Sequence, residues 1–125
     1  MANTEATAAE WVRILAAREE LPFGARLLEH FERCRMTHLC QCGCNSFDCE
    51  TVASDDLKPL FEPDGKPWSL EAVFESGADE PIDVRILADE QGMLSGIDVH
   101  FGLSNQAPMP ERVQLGRLIF TIPEL

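Results

Sequence analysis

All five cysteines of the chain and one of its three histidines lie between positions 34 and 49. Thiolates and imidazoles bind zinc and other soft metal ions, and thiolates also carry out redox exchange. The densest part of the segment reads Cys40-Gln41-Cys42-Gly43-Cys44, and His38 stands just before it. The segment therefore has three possible interpretations: a metal site, a redox centre or a set of small buried residues.

A structural zinc site normally uses Cys-x2-4-Cys pairs that wrap around the ion. Here the cysteines alternate, and side chains two positions apart in a straight strand are separated by ~6.8 Å, too far for two ligands of one ion. A bend at Gly43 would bring them together. The ligand types indicate a zinc site formed by His38, Cys40, Cys42 and Cys44, although no second pair completes a zinc ribbon.

Two other interpretations of the cysteines remain open, and both describe a protein without a cofactor. Free cysteine is often a buried apolar residue. Cys34 falls on the apolar stripe of a predicted helix and Cys49 on the inward side of a predicted strand, so both are interpreted as core residues. Redox chemistry would need a cation such as Arg35 or His38 beside a thiol, and no Cys-x-x-Cys motif is present.

The elements around this segment are predicted from periodicity and turn signals. Two amphipathic helices are expected within residues 8–34: the first over 8–20 behind a capping box at Thr7-Ala8-Ala9-Glu10, the second from near Pro22 with His30 on its exposed side. Strand patterns follow near 47–52, 68–75, 82–86, 93–101 and 112–122, with short turns and a loop over 104–110.

The predicted fold class is α+β: two N-terminal helices packed on one face of an antiparallel sheet of four to five strands. The chain is expected to be a single domain, residues 1–125, with the cysteine-rich segment at 34–49 and the sheet at about 46–122. In the fourth pattern, over 93–101, Leu94 has the wrong parity for the inward face unless the strand bulges at Gly96.

Strand parity also predicts an acidic outer face. If Ile82, Val84, Ile97 and Val99 point inward, polar residues of neighbouring strands share the opposite face, which an antiparallel sheet can leave in water. The expected binding residues on that face are Asp48, Glu50, Asp83, Asp98 and His100, and Arg85 lies among them.

The formal net charge is −12, and residues 36–125 hold five bases against sixteen acids. This balance disfavours nucleic acid and anionic membranes as partners, because both require clustered Lys and Arg. It favours fast encounter with a basic protein partner. The start of the chain has no signal-peptide pattern and no apolar run is long enough to span a bilayer, so a reducing, cytoplasmic location is expected.

Two segments resemble a group of small uncharacterised bacterial proteins. These are Cys40-Gln41-Cys42-Gly43-Cys44 and the later Gly92-Met93-Leu94-Ser95-Gly96-Ile97-Asp98-Val99, and the resemblance covers about residues 38–101. The chain departs from the group in having Ile97-Asp98 where a Leu-Glu pair is usual. The resemblance implies a bacterial, cytosolic protein and no assigned activity. The later strand is also similar to strands of immunity proteins that neutralise secreted bacterial toxins.

No assembled catalytic signature is present, which favours a protein that is not an enzyme. The leading hypothesis is a non-catalytic acidic binding protein, in its concrete form an immunity-type inhibitor of a basic partner. The alternatives are a small domain with a zinc site in the cysteine cluster and a thiol redox protein. Partner identity and oligomeric state do not follow from the sequence.

Overall fold

The computed structural model describes residues 3–102, 109 and 114–124 of the chain. Within them, two helices precede a six-stranded antiparallel sheet, so the predicted α+β class is confirmed. The strands lie in the order β1-β2-β5-β4-β3-β6. The elements are α1 (Glu5–Ala16), α2 (Ala25–Arg33), β1 (Arg35–Leu39), β2 (Phe47–Glu50), β3 (Trp68–Phe74), β4 (Ile82–Ala88), β5 (Leu94–Phe101) and β6 (Leu118–Ile122).

The prediction of four to five strands was too low, because β1 lies inside the cysteine-rich segment. Met36 pairs with Cys49 and Leu39 with Phe47, and the register shifts between these two pairs. Both Met36 and Leu39 therefore pack against the core although they are three residues apart. This irregularity removes the period-2 alternation by which a strand is recognised in sequence.

The helix boundaries also differ from the prediction. The hydroxyl oxygen of Thr4 accepts a hydrogen bond from the Thr7 amide at 3.2 Å, so Thr4 is the N-cap and the expected capping box at Thr7 is not used. Helix α1 ends at Ala16. Beyond it Arg18 donates to the carbonyl oxygens of Leu115 and Gly116 at 3.0 and 2.8 Å, which ties the inter-helix segment to the approach to β6.

Helix α2 begins after Gly24, whose φ of 52° only glycine adopts readily, and not at Pro22. The predicted loop over 104–110 lies outside the described residues except for Met109, and so do positions 112 and 113 of the predicted last strand. Neither helix in the described part of the chain has the length and apolar character needed to cross a bilayer.

The buried core cluster contains side chains from both helices and from the sheet. The rings of Phe31 on α2 and Phe47 on β2 lie 5.8 Å apart in an edge-to-face arrangement. Coverage of one whole sheet face by both helices stays a prediction. The predicted inward parity of β4 and β5 is confirmed. The buried cluster contains, from the helices, Trp11, Val12, Leu15 and Leu27, and from β4 and β5, Ile82, Val84, Ile86, Leu94, Ile97 and Val99.

Leu94 reaches the inward face through a bulge beside Gly96. Gly96 pairs with Leu87 and Leu94 with Ala88, so Ser95 is the extra residue on β5. A Cβ atom on Gly96 would lie 2.7 Å from a backbone oxygen of β2, which is closer than carbon and oxygen can approach. The predicted bulge at this glycine is confirmed, and its lack of a side chain lets β2 and β5 pair.

His30 was predicted on the exposed side of α2, and this was wrong: its side chain is fully buried. Its Nδ1 atom accepts the Leu94 amide hydrogen at 3.2 Å, so Nε2 must carry the proton that it donates to the Lys58 carbonyl oxygen at 2.7 Å. Burial lowers the pKa of His30. The neutral ring therefore joins α2, a loop and β5.

Candidate functional site

The three clustered cysteines lie in the loop that connects β1 to β2. The Cys40 amide donates to the Ser46 carbonyl oxygen at 3.0 Å, which closes the loop at its base. Gly43, at the tip, has a φ of 110°, a conformation that other residues rarely adopt. The predicted bend at Gly43 is confirmed, and it turns the alternating cysteines toward one point.

The sulfur atoms of Cys40, Cys42 and Cys44 form one compact group. The Sγ atoms of Cys40 and Cys42 are 3.0 Å apart, and those of Cys42 and Cys44 are 3.3 Å apart. All three sulfurs lie within 4.8 Å of one another, close enough for one metal ion to contact all of them. Cys42 is exposed, Cys40 is half-buried and Cys44 is buried. The group thus opens to solvent on one side.

Asn3, near the start of the chain, forms hydrogen bonds to the cysteine loop. The Asn3 side-chain amide donates to the Ser46 carbonyl oxygen at 2.7 Å. Gln41 accepts from the Asn3 amide at 2.9 Å and donates to the Asn3 carbonyl oxygen at 2.8 Å. The Ser46 hydroxyl accepts the Val99 amide hydrogen at 2.9 Å, which fixes the loop base to β5. These contacts hold the backbone that carries the sulfurs.

Hydrogen bonds between the thiols separate their acidities. The S–H group of Cys40 stabilises a thiolate at Cys42 and lowers the pKa of Cys42 to about 7. The same contact raises the pKa of Cys40 to about 11. The middle sulfur is therefore the first of these two to ionise, and it is also the more exposed. A thiolate at neutral pH is the form that binds metal ions and attacks electrophiles.

His38, predicted as a fourth ligand, is not brought into this group. It lies on β1 opposite Asp48 of β2, and its side chain is exposed. The bulge next to it turns its side chain to the outer face of the sheet, on the same side as Asp48. Of the four predicted metal ligands, the structure brings together only the three cysteines.

The remaining two cysteines lie in a different environment. Cys34 follows the end of α2 and packs against the core, and Cys49 on β2 is only 5% exposed. The interpretation as a core residue is confirmed for Cys49, whereas Cys34 is half-buried and packs against the core. The thiol of Cys34 donates to the Phe31 carbonyl oxygen at 3.1 Å, and that of Cys49 contacts the Leu94 carbonyl oxygen at 3.6 Å. Contact with Cys34 and burial raise the pKa of Cys49 far above that of a free thiol.

The residues of the predicted acidic face share one side of the sheet. Asp83 of β4 lies opposite His100 of β5, Arg85 opposite Asp98, and Asp48 of β2 opposite Gly96. Their neighbours along each strand are inward-facing core residues, so these side chains point outward. Glu50 also points outward from β2 and forms an ion pair with Arg35. Arg85 pairs with Glu71 of β3 at 3.2 Å.

Asp83 differs from the expectation for a docking residue because it is only 7% exposed. Its Oδ1 atom is buried and has no hydrogen-bond partner within the described residues. Burial, together with the nearby Glu71 carboxyl, raises the pKa of Asp83 to about 6. Its neighbour across the strand pair, Val73, is completely buried although it points to the outer side. Asp83 therefore presents little charge to an incoming partner.

Two features of the site were not predicted. The support from Asn3 and Gln41 joins residues 38 positions apart, and no local pattern indicates such a contact. The pairing of Arg35 and Arg85 with Glu50 and Glu71 reduces the negative charge of the outer face. The one available signal was Arg85 at an outward position of its predicted strand, because β1, which carries Arg35, was not predicted.

The chain was compared with models of known protein families, with curated proteins and with solved structures, and none of the three comparisons gave a match. The fold and the site themselves define a small α+β protein with a three-thiol loop between strands β1 and β2.

Proposed function

We propose that the chain is a small metal-binding protein that holds a zinc ion through the thiolates of Cys40, Cys42 and Cys44. The observation that carries this proposal is the convergence of three sulfurs within 4.8 Å in a loop whose tip is bent by Gly43. Thiolate is a preferred ligand of zinc, and three thiolates supply most of a four-coordinate shell.

The spacing of the sulfurs supports this assignment. Zinc–sulfur bonds of ~2.3 Å in a tetrahedron place neighbouring sulfurs about 3.8 Å apart. The two contacts of 3.0 and 3.3 Å are shorter than this, and the remaining pair lies within 4.8 Å. Ion binding therefore needs movements of less than about 1 Å between neighbouring thiols, which rotation of exposed side chains such as Cys42 can supply.

The three-thiol group leaves the fourth position on the ion to another ligand. No fourth His, Cys, Asp or Glu belongs to the group among the residues that the structure describes. Zinc sites with three protein ligands normally bind water or an external ligand in the remaining position. The exposure of Cys42 leaves room for such a ligand.

Elemental analysis of the protein purified under reducing conditions tests the proposal. We expect close to one zinc per chain, and a strong reduction in the Cys42→Ser variant. Cys34→Ser is the matched control, because it removes a thiol outside the group and should leave the zinc content unchanged. Less than ~0.1 equivalent of zinc in the wild-type protein, after incubation with zinc and desalting, would exclude the function.

A second candidate function is docking of a basic protein partner on the outer face of the sheet. The observation that favours it is the shared orientation of Asp48, Glu50 and Asp98 on adjacent strands β2 and β5. Asp83 contributes less because it is buried, and His100 lies directly opposite it. Surface carboxylates of this kind accelerate encounter with a positively charged partner. An immunity-type inhibitor of a basic toxin would use such a surface.

Association rates with purified basic nuclease domains, measured over a range of ionic strength, test this second candidate. We expect the rate to fall steeply with added salt, and to fall about 10-fold at low salt in the double variant Asp48→Lys/Asp98→Lys. The double variant Asp55→Lys/Asp64→Lys, in exposed loops, makes the same change in net charge away from the sheet and is the control. A rate that does not change with salt, or binding to none of these domains, would remove the candidate.

A further inference from the structure

The sulfur of Cys42 occupies the middle of the three-thiol group. It lies 3.0 Å from the sulfur of Cys40 and 3.3 Å from that of Cys44, whereas each outer cysteine has only one such contact. Cys42 is also the only exposed member of the group, since Cys40 is half-buried and Cys44 is 8% exposed. A reagent in solution therefore meets Cys42 first, and a second thiol is already in contact with it.

We propose that Cys42 is an oxidation site for hydrogen peroxide, and that the oxidised sulfur forms a disulfide with Cys40. The thiol chemistry stands on the geometry of the loop alone. Its effect on a bound ion, described below, rests on the proposed function.

The reaction proceeds in two steps. The thiolate of Cys42 attacks one peroxide oxygen, an S–O bond forms, the O–O bond breaks, and hydroxide leaves to give a sulfenic acid. The Cys40 sulfur then attacks the Cys42 sulfur, the S–O bond breaks, and the oxygen leaves as water with the Cys40 proton. Two thiols lose two electrons in total, and one peroxide is reduced to two waters when the hydroxide is protonated.

Cys40 is the favoured partner over Cys44 for two reasons. Its sulfur is the nearer to Cys42, by 0.3 Å, as the two separations show. Cys44 is held in the protein by burial, and the carbonyl oxygen of the adjacent Gly43 accepts a hydrogen bond from the Met109 amide at 2.8 Å. A disulfide needs its two sulfurs about 2.05 Å apart. The side chain of Cys40 is more accessible than that of Cys44, so fewer surrounding atoms obstruct its movement toward Cys42.

Oxidation and metal binding exclude each other at this loop. A disulfide sulfur carries no negative charge and is a poor ligand compared with a thiolate. Formation of the Cys40–Cys42 disulfide leaves one thiolate of three, so an ion bound at the site is released. The loop then responds to peroxide by losing its metal, and it recovers when a thiol reductant reopens the disulfide.

The test of the thiol chemistry uses the metal-free protein. We expect limiting peroxide to remove two of the five thiols, and mass spectrometry after alkylation of the rest to find the Cys40–Cys42 disulfide. Cys40→Ser should stop at a Cys42 sulfenic or sulfinic acid, or form the slower disulfide with Cys44. Cys42→Ser should keep its four thiols over the same time, and Cys34→Ser should react as the wild type does.

The inference is overturned if the first disulfide joins Cys34 and Cys49, or if Cys42→Ser is oxidised as fast as the wild type. The zinc-loaded protein gives a separate outcome. Zinc that binds and is retained, while peroxide leaves Cys40 and Cys42 reduced, overturns the release of the ion by peroxide and leaves the proposed function standing. A protein that forms the disulfide but never binds zinc overturns the proposed function and leaves the thiol chemistry standing.

Discussion

The five cysteines of this chain form two groups in opposite environments. Those of the β1–β2 loop meet one another at an exposed bend, and their backbone is held by contacts around Ser46. Cys34 and Cys49 lie at the core, where their thiols contact backbone carbonyl oxygens. Proximity in sequence therefore says little about role: chemistry is expected where sulfurs share an accessible position, and packing where they lie against the core, as the buried Cys49 and the half-buried Cys34 do.

Cys49 has a structural role that the loop cysteines lack, because it lies where the β2–β5 pairing ends. Strand β2 pairs with β5 only at Phe47 and Asp48, so it leaves the backbone of Leu94 without a strand partner on that side. Side chains replace the missing ladder: the Thr51 hydroxyl donates to the Leu94 carbonyl oxygen at 2.9 Å, and His30 accepts the amide hydrogen. Cys49 contacts the same carbonyl oxygen. Buried backbone groups require such partners.

The largest expected difference between the groups is in alkylation rate. In the native, metal-free protein at pH 7, we expect Cys42 to react with iodoacetamide on the order of 1,000-fold faster than Cys49. Cys42 is exposed and its pKa is lowered to about 7, whereas Cys49 is buried and its pKa is raised. Peptide mass spectrometry over a time course measures both rates. Equal rates at all five positions would contradict the division into two groups.

The next largest effect concerns zinc affinity. Removing one of three ligands should weaken binding roughly 100-fold or more, so Cys40→Ser and Cys44→Ser are both expected to lose zinc to a chromophoric chelator that the wild type resists. Cys34→Ser should compete as the wild type does, because its sulfur lies outside the group. Affinity that falls equally in Cys34→Ser and Cys44→Ser would show that general instability, and not ligand loss, is being measured.

A smaller effect is expected in the free energy of unfolding. Cys49→Ser places a hydroxyl where a 5% exposed sulfur now lies, and it should cost about 1–3 kcal/mol in urea denaturation of the reduced, metal-free protein. Cys42→Ser, at an exposed position, should change the same quantity by less than about 0.5 kcal/mol. A larger loss for Cys42→Ser than for Cys49→Ser would reverse the comparison.

Much of the fold and of the cysteine loop could be predicted from the sequence, and particular residues show which features could not. The parity of β4 and β5, the bulge at Gly96 and the bend at Gly43 follow from local patterns, and all are confirmed. Strand β1 was missed because its register shift removes alternation. The burial of Asp83 depends on its neighbours on β3, which only the sheet order brings together.

The burial of His30 could not be predicted for a related reason. The apolar stripe of α2 predicts which of its residues pack into the core. The loop that carries Lys58 contacts a further part of the helix, where its carbonyl oxygen bonds to His30. The contact is 28 residues away in sequence, so the pattern of α2 itself contains no sign of it. The same applies to Asn3 and the cysteine loop, where the closing contacts are 38 and 43 residues apart.

The free energy of unfolding should also respond to acid through His30, which contacts the same Leu94 backbone as Cys49. Because burial lowers the pKa of the folded-state ring, the unfolded chain takes up the proton first, near the ordinary pKa of ~6.5. The free energy of unfolding should therefore decrease as the pH falls below about 6.5, by at most ~1.4 kcal/mol per pH unit, and level off below the folded-state pKa. Protonated Nδ1 could no longer accept the Leu94 amide hydrogen.

Asp83 acts in the opposite direction over a neighbouring range, so the two contributions must be separated. Its folded-state pKa of about 6 lies above the ordinary value, so its protonated form stabilises the fold at low pH and this contribution is lost as the pH rises through about 6. Subtracting the unfolding profile of His30→Gln from that of the wild type cancels the Asp83 contribution, because both proteins contain it. We expect the difference to slope only below pH ~6.5. Parallel profiles for the two proteins would mean that His30 does not make the free energy of unfolding depend on pH.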